Sequence, residues 1–197
     1  MAIREYGNNN VVLVNQPSGG SQRAVHAILE AISTAPIGEA TTLKYQRTND
    51  GTMLVGTSST VNVEYVLDQY YNPLPIAANS ITLQSQNKTL NVKGMTFTTT
   101  KAGEDRIYIH YNGKAIQSFP VTIVDGPSTL SVNGSKEVML GGSQTYSIDA
   151  KDASGKNLIY NADQVKWSVN GEIGTITQSG QFTATKAGKG QIVATLG

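Results

Sequence analysis

The feature that most constrains this chain is that it repeats. The segment FTTTKAG, Phe97 to Gly103, recurs as FTATKAG, Phe182 to Gly188, at an offset of 85 residues. Upstream, MLVG at Met53 to Gly56 recurs as MLGG at Met139 to Gly142, at an offset of 86. Between these anchors, Val61-Asn62-Val63-Glu64 sits against Tyr146-Ser147-Ile148-Asp149, and Ile81-Thr82-Leu83 against Val165-Lys166-Trp167. Two anchors with nearly equal offsets make chance a poor explanation. Each unit must therefore be the same small fold, built twice in tandem.

Within each unit the apolar residues alternate, which is the period of a half-buried strand. The runs are Val61, Val63, Tyr65; Ile107, Ile109, Tyr111; Val121, Ile123; Tyr146, Ile148, Ala150; Val165, Trp167, Val169; and Ile192, Ala194, Leu196. One face buried and one wetted is the pattern of antiparallel sheets. Turn pairs fall between the runs: Asn112-Gly113, Asn133-Gly134, Ser154-Gly155, Asn170-Gly171 and Ser179-Gly180, with Asn49-Asp50-Gly51 before them. Asn-Gly suits a two-residue hairpin because both residues tolerate positive φ. Short strands with regular turns predict an all-β chain: two immunoglobulin-like β-sandwiches, at 37–125 and 126–197, preceded by a short remnant of another domain at 1–36.

Composition removes several functional classes. Fifteen basic and 14 acidic residues give a net charge of +1, so no single-signed field recruits nucleic acid. There is no cysteine, which excludes a disulfide framework and a thiolate metal site. No apolar run is long enough to span a bilayer as a helix. No basic-then-apolar start is visible, so a signal peptide is not expected within this chain.

The second unit resembles the bacterial immunoglobulin-like family usually called Big2. The residues that carry the resemblance are Val165-Lys166-Trp167-Ser168, Gly174-Thr175-Ile176, Ser179-Gly180, Phe182-Thr183-Ala184, Ala187-Gly188 and Ile192-Val193-Ala194. The first unit matches more loosely: Leu83 stands where the second has Trp167, and there is no Gly174-Thr-Ile element. In the first unit Ile107–Tyr111 is followed by a turn and a further strand, Phe119–Val124. The second unit is expected to lack that closing strand, which leaves Ile192–Leu196 as an edge.

The first thirty-five residues belong to neither repeat. Val11–Val14 is a β-prone run. Arg23–Ser33 reads as a strand or a short helix, with Val25, Ile28, Leu29 and Ile32 on one helical face. The stretch resembles the tail of the phosphodiester glycosidase family, through Val12–Val14, Asn15, Pro17-Ser18, Gly20, Arg23 and Val25. Gly19 stands where that family usually has aspartate, and Ala27 where it usually has asparagine. The resemblance implies that Ser18 and Arg23 are a remnant of a parent active site. A guanidinium can hold a phosphate by two hydrogen bonds, but the family's glycine-rich, aspartate-containing motif is absent from the chain.

The remaining chemistry is sparse. His26 and His110 have no carboxylate at a telling spacing, and zinc needs three or four convergent ligands. Asp149, Asp152 and Asn157 could offer oxygen ligands to calcium, but Asp-Ala-Ser-Gly is also an ordinary hairpin. Tyr65, Tyr70 and Tyr71 form the one aromatic cluster. Exposed, Tyr70 and Tyr71 could contact a glycan; otherwise Tyr65 is core and the pair caps a loop. Trp167 carries the same two readings, and its alternation with Val165 and Val169 favours core.

No catalytic residue, metal site or cofactor is expected. The sequence predicts a non-catalytic spacer or adhesion region of a secreted or surface-anchored bacterial protein. The alternative is a carbohydrate- or cell-wall-binding module. Partners expected on these readings are a cell-wall polysaccharide or an upstream catalytic domain acting on sugar phosphodiesters or exopolysaccharide, with no nucleic acid and no membrane span.

Overall fold

A computed structural model describes residues 3–6, 10–13 and 38–197. Residues 14–37, with Ser18, Arg23, His26 and the Val25–Ile32 run, lie outside the described residues. At the start, β1 (Ile3–Tyr6) pairs antiparallel with β2 (Asn10–Leu13), with Ile3 opposite Leu13. The β-prone run at Val11 is thus strand for most of its length, and its partner is the segment just before it.

The chain is all-β. The first repeat contains β3 (Ala40–Arg47), β4 (Met53–Leu54), β5 (Ser58–Asp68), β6 (Ile81–Ser85), β7 (Leu90–Lys93), β8 (Thr96–Thr99), β9 (Gly103–Tyr111) and β10 (Lys114–Val124). The second contains β11 (Thr129–Asn133), β12 (Ser143–Thr145), β13 (Ser147–Lys151), β14 (Val165–Asn170), β15 (Gly174–Ile176), β16 (Gln181–Ala184) and β17 (Gln191–Leu196). Among the described residues the one helical element is a 3₁₀ turn, Ala162–Gln164. No helix is long and apolar enough to cross a membrane among those residues.

In the first repeat the sheets run in the orders β3-β5-β8-β7 and β4-β10-β9-β6. These are the two sheets of an immunoglobulin-like sandwich, with the first strand split so that its second half, β4, joins the opposite sheet. That half pairs parallel with the last strand, Met53 beside Ile123 and Leu54 beside Val124. The inner faces meet through Phe97 on β8 and Phe119 on β10, whose ring centroids are 5.9 Å apart. Arg47 lies over the Phe119 ring at 4.3 Å. Ile107, Ile109, Tyr111, Val121 and Ile123 are all buried, as their alternation predicts.

The pairing of β5 with β8 recurs in the second repeat as β12 with β16, in the same register. Ser58, Ser59 and Thr60 face Thr98, Phe97 and Thr96; Ser143, Gln144 and Thr145 face Thr183, Phe182 and Gln181. Each position differs by 85. Even a cross-strand hydroxyl pair is repeated, Ser58 with Thr98 at 2.8 Å and Ser143 with Thr183 at 3.0 Å. The strand pair β14 and β17 sets Trp167 opposite Ala194.

Two expectations need correction. The letters MLVG and MLGG align at 86, but the backbone aligns at 85. The Gly56 N–H donates to Thr99 O and the Gly141 N–H to Ala184 O, both at 2.9 Å; Thr57 and Gly142 donate in the same way to Leu54 O and Met139 O. Leu54 therefore corresponds to Met139. Tyr65 is also not core: it is 40 % exposed, and Val66 is buried instead. The cause is one extra residue in β5. Val61 corresponds to Tyr146 at 85, yet Val66 corresponds to Ala150 at 84. The inward set therefore shifts from Ser59 and Val61 to Val66 and Asp68, the signature of a bulge.

By compactness the described residues group as two units. One holds those up to Gln46 with Asn62–Thr82 and Ile109–Ser118; the other holds Arg47–Val61, Leu83–Tyr108 and Phe119–Gly197. The second unit thus contains the Arg47–Val61 segment of the first repeat together with the whole of the second.

Candidate functional site

The place where one repeat meets the next governs how far tandem repeats move relative to one another. It lies inside the second unit and is built from a two-residue strand. Met53 and Leu54 are followed by Gly56 at φ +87°, which turns the chain back toward Thr57. The strip is hydrogen-bonded on both sides. The Val55 N–H donates to Val124 O at 3.0 Å, the Leu54 N–H to Ile159 O at 2.8 Å, and the Ile159 N–H to Thr52 O at 2.9 Å. Met53 and Ile159 form a parallel bridge. A backbone ladder therefore runs between the repeats.

Side chains complete the junction. Leu54 is 0 % exposed and packs in one cluster with Ala150, Leu158, Val165 and Leu196. Val124, Ile148, Tyr160, Trp167 and Ala194 lie against that cluster. Trp167 is thus half-buried, packed against that core. Gln164, at the end of the 3₁₀ turn, closes the polar edge. Its Nε2 donates to Val55 O at 2.6 Å, and its Oε1 accepts from Thr57 Oγ1 at 3.0 Å and from the Asn161 N–H at 2.8 Å. Asn161 Nδ2 donates to Gly56 O at 3.2 Å.

Asp152 carries the best-satisfied carboxylate here. Its Oδ2 accepts from Thr52 Oγ1 at 2.7 Å. Its Oδ1 accepts from Ser154 Oγ at 2.7 Å, the Ser154 N–H at 2.9 Å and the Lys156 N–H at 3.0 Å. The Thr52 hydroxyl and then the Ser154 hydroxyl hold its pKa well below the usual carboxylate range. These donors take up both oxygens, and Asp149 faces Lys151 at 3.5 Å. Asp152 thus belongs to a hairpin tied to the preceding repeat. Among the described residues no group of three or more acidic or histidine side chains is placed to hold a metal.

The same loop exists in the first repeat, 84 residues earlier. Asp68 Oδ1 accepts from the Tyr70 and Asn72 N–H groups, both at 2.8 Å, and its Oδ2 accepts from the Gly38 N–H at 3.1 Å. Burial opposes ionisation of Asp68, but the donors led by Asn72 outweigh it and lower its pKa. The Leu74 N–H donates to Val66 O at 2.8 Å, as the Leu158 N–H does to Ala150 O at 2.9 Å. Tyr70 and Tyr71 sit in this loop and are 63 % and 78 % exposed. Tyr71 has φ +64°, at the position that Gly155 fills at φ +79° in the second repeat. Lys44 lies 5.9 Å from the Tyr65 ring. His110 is half-buried on β9 between the buried Ile109 and Tyr111.

No protein-family profile and no curated protein sequence matches the chain. Among solved structures it is similar to domains 4 and 5 of the S-layer protein SbsC, at 20 % identity and a TM-score of 0.39, covering 81 % of this chain and 94 % of that one. It is similar to SbsC domains 1–6 at 20 % identity and a TM-score of 0.37, covering 82 % of this chain and 27 % of that one. It is also similar to FdeC, described as an Escherichia coli adhesin, at 17 % identity and a TM-score of 0.36, covering 80 % and 60 %.

Proposed function

We propose that this region is a non-catalytic, stiff spacer of tandem immunoglobulin-like repeats in a secreted or surface-anchored bacterial protein. The repeats are divided at residues 37–125 and 126–197. The observation that supports this most is the welded junction: a backbone ladder, a shared apolar cluster and a glutamine plug, instead of a free linker. Inter-domain contacts of ordinary size leave relative motion as the default, and a buried, apolar contact removes it. The upstream partner on this reading is a phosphodiester glycosidase-like domain whose tail is residues 1–36, with Ser18 and Arg23 its remnant. Nuclear spin relaxation on the full chain tests the spacer. Residues 47–61 and 128–196 are expected to tumble with one correlation time; two independent times contradict it. An assay on a sugar phosphodiester is expected to show no turnover. Activity abolished by Arg23→Ala contradicts the non-catalytic reading.

A second reading has one observation in its favour. Tyr70 and Tyr71 are exposed on a loop held by Asp68, and a rigid aromatic pair is the surface on which sugar rings stack. Titration with cell-wall polysaccharide fragments tests it: binding lost in Tyr70→Ala and Tyr71→Ala supports a glycan module, and absence of saturable binding removes it.

A further inference from the structure

Ile159 of the second repeat and Pro75 of the first hold the same place in the fold. Three pairs of backbone contacts fix this at an offset of 84: the bridges Lys151–Asn157 and Leu67–Pro73, the bonds from Leu158 N–H to Ala150 O and from Leu74 N–H to Val66 O, and the turn bonds from Gln164 N–H to Asn161 O and from Ser80 N–H to Ala77 O. On the neighbouring strand Leu196 corresponds to Tyr111. In the second repeat each of these positions offers something to the repeat before it. The Ile159 N–H donates to Thr52 O at 2.9 Å, and the Ile159 carbonyl accepts from the Leu54 N–H at 2.8 Å. Asn161 Nδ2 and Gln164 Nε2 donate to Gly56 O and Val55 O. Leu196 packs in the cluster around Leu54. In the first repeat the same positions are closed. Pro75 has no N–H to give, and its carbonyl accepts from the Tyr111 hydroxyl at 2.8 Å. Ala77 carries no polar side-chain atom. Ser80 is buried, and its hydroxyl donates to Ala77 O at 2.8 Å, inside its own turn. Among the described residues one bond of the junction does have a counterpart at this end: the Gly38 N–H donates to Asp68 Oδ2 at 3.1 Å, as Thr52 does to Asp152.

We propose that Ile159, Asn161, Gln164 and Leu196 are the specificity determinants of docking between repeats, and that the first repeat, with Pro75, Ala77, Ser80 and Tyr111 in their place, is closed to the split strand of another immunoglobulin-like repeat. A proline at an edge refuses a further strand because the ladder needs its missing N–H. The Tyr111 hydroxyl satisfies the carbonyl that a neighbouring backbone would otherwise use, so this end of the first repeat needs no partner for its polar groups. The apolar counterpart of the change is Leu196 to Tyr111, which replaces a packing surface for Leu54 with a hydroxyl bonded within the repeat. All four differences act in one direction. A repeat of the second kind therefore welds to the repeat before it. A repeat of the first kind holds the chain before it by the aspartate tether, and a domain ahead of it, of whatever kind, is not joined by this ladder. The inference rests on the welded junction of the spacer reading, and the experiment below separates the two.

Two altered full chains test it by hydrogen exchange, with the amides paired between β14 and β17 as the control for folding. In the first chain, Ile159→Pro, Asn161→Ala, Gln164→Ser and Leu196→Tyr give the second repeat the residues of the first. The Leu54 N–H is expected to exchange at least about tenfold faster than in the unaltered chain while β14 and β17 stay protected. If Leu196→Tyr unfolds the second repeat, the other three substitutions alone are expected to give the same result. The second chain carries an added copy of residues 38–125 ahead of Gly38. The Leu54 N–H of the added copy is expected to exchange as an unpaired amide. Pro75→Ile, Ala77→Asn, Ser80→Gln and Tyr111→Leu in the receiving copy are expected to slow it at least about tenfold. Protection of the added Leu54 against an unaltered receiving copy overturns the proposal and leaves the spacer reading standing. So does a Leu54 rate that neither set of substitutions moves. Rapid exchange of Leu54 in the unaltered chain overturns the spacer reading and the proposal with it.

Discussion

Thr52 donates its hydroxyl to Oδ2 of Asp152 at 2.7 Å, across 100 residues of sequence and from one repeat to the next. In the first repeat the corresponding oxygen, Asp68 Oδ2, accepts from the Gly38 N–H, just ahead of that repeat's first strand, and from Asn72 Nδ2 within its own loop. The loop after the second strand thus serves in both copies to anchor the chain that comes before it. Because Thr52 is the leading cause of the depressed Asp152 pKa, Thr52→Val should raise that pKa toward the ordinary carboxylate range. Thr52→Ser should leave it low. Carboxyl chemical shifts followed through acid pH read both outcomes.

Leu54 and Met139 occupy the same position in the two repeats but opposite environments, 0 % and 87 % exposed. Leu54→Ala removes a side chain shared with Leu158, Val165 and Leu196 and should cost about 2–5 kcal/mol. Met139→Ala should cost under about 0.5 kcal/mol. Urea denaturation of the two variants measures the contrast, and equal losses would mean that burial at the junction is unimportant.

Asp105 predicts the acid behaviour. Burial opposes its ionisation, but the Asn87 N–H, the Thr89 and Ser85 hydroxyls and the Arg106 N–H outweigh that and hold its pKa down at about 2, from an ordinary 3.8. The folded pKa is the lower one, so the unfolded chain takes up the proton first. This contribution is complete above roughly pH 4–5 and fades as pH falls through about 2. Asp105→Asn should be less stable at neutral pH and should lose less stability between pH 4 and pH 2. Thermal melts across that range give the slope.

Two glycines with nearly the same backbone should respond differently to alanine. Gly141 has φ +79° and open space around it, so Gly141→Ala should cost about 1–2 kcal/mol for the left-handed conformation alone. Gly180 has φ +80°, and a methyl there would lie 2.4 Å from Tyr146 O and 3.2 Å from Trp167. Gly180→Ala should therefore cost more than Gly141→Ala in the same denaturation experiment.

The sequence made the strands and the repeat legible because both are local. Alternation fixed which faces of β9, β10 and β14 are buried, and the seven-letter anchor at Phe97 and Phe182 aligned the copies. What was hidden depended on contacts far apart in the chain or on one residue of slippage. The bulge in β5 put Tyr65 outside because an insertion between Val61 and Val66 changes which residues point inward without changing their hydrophobicity. Identical letters at MLVG and MLGG masked a backbone register one residue away. Asp152 read as a hairpin or a calcium ligand, and nothing near it in sequence announces Thr52. Gln164 gave no signal, since a glutamine that bonds a carbonyl and a hydroxyl of a distant segment looks like any surface glutamine. The repeat held a usable clue: Asp68 and Asp152 are both followed by residues that tolerate a tight turn, which marks a shared loop.

The central claim is that the junction is welded, and native-state hydrogen exchange of two amides tests it most directly. The Leu54 N–H and the Ile159 N–H bond across the repeats. If the junction is part of one cooperative structure, both should exchange only by the global opening that releases the amides paired between β14 and β17, with the same free energy and the same denaturant dependence. Exchange of Leu54 and Ile159 within seconds, while β14 and β17 stay protected, would show repeats joined by a loose hinge and would contradict the account.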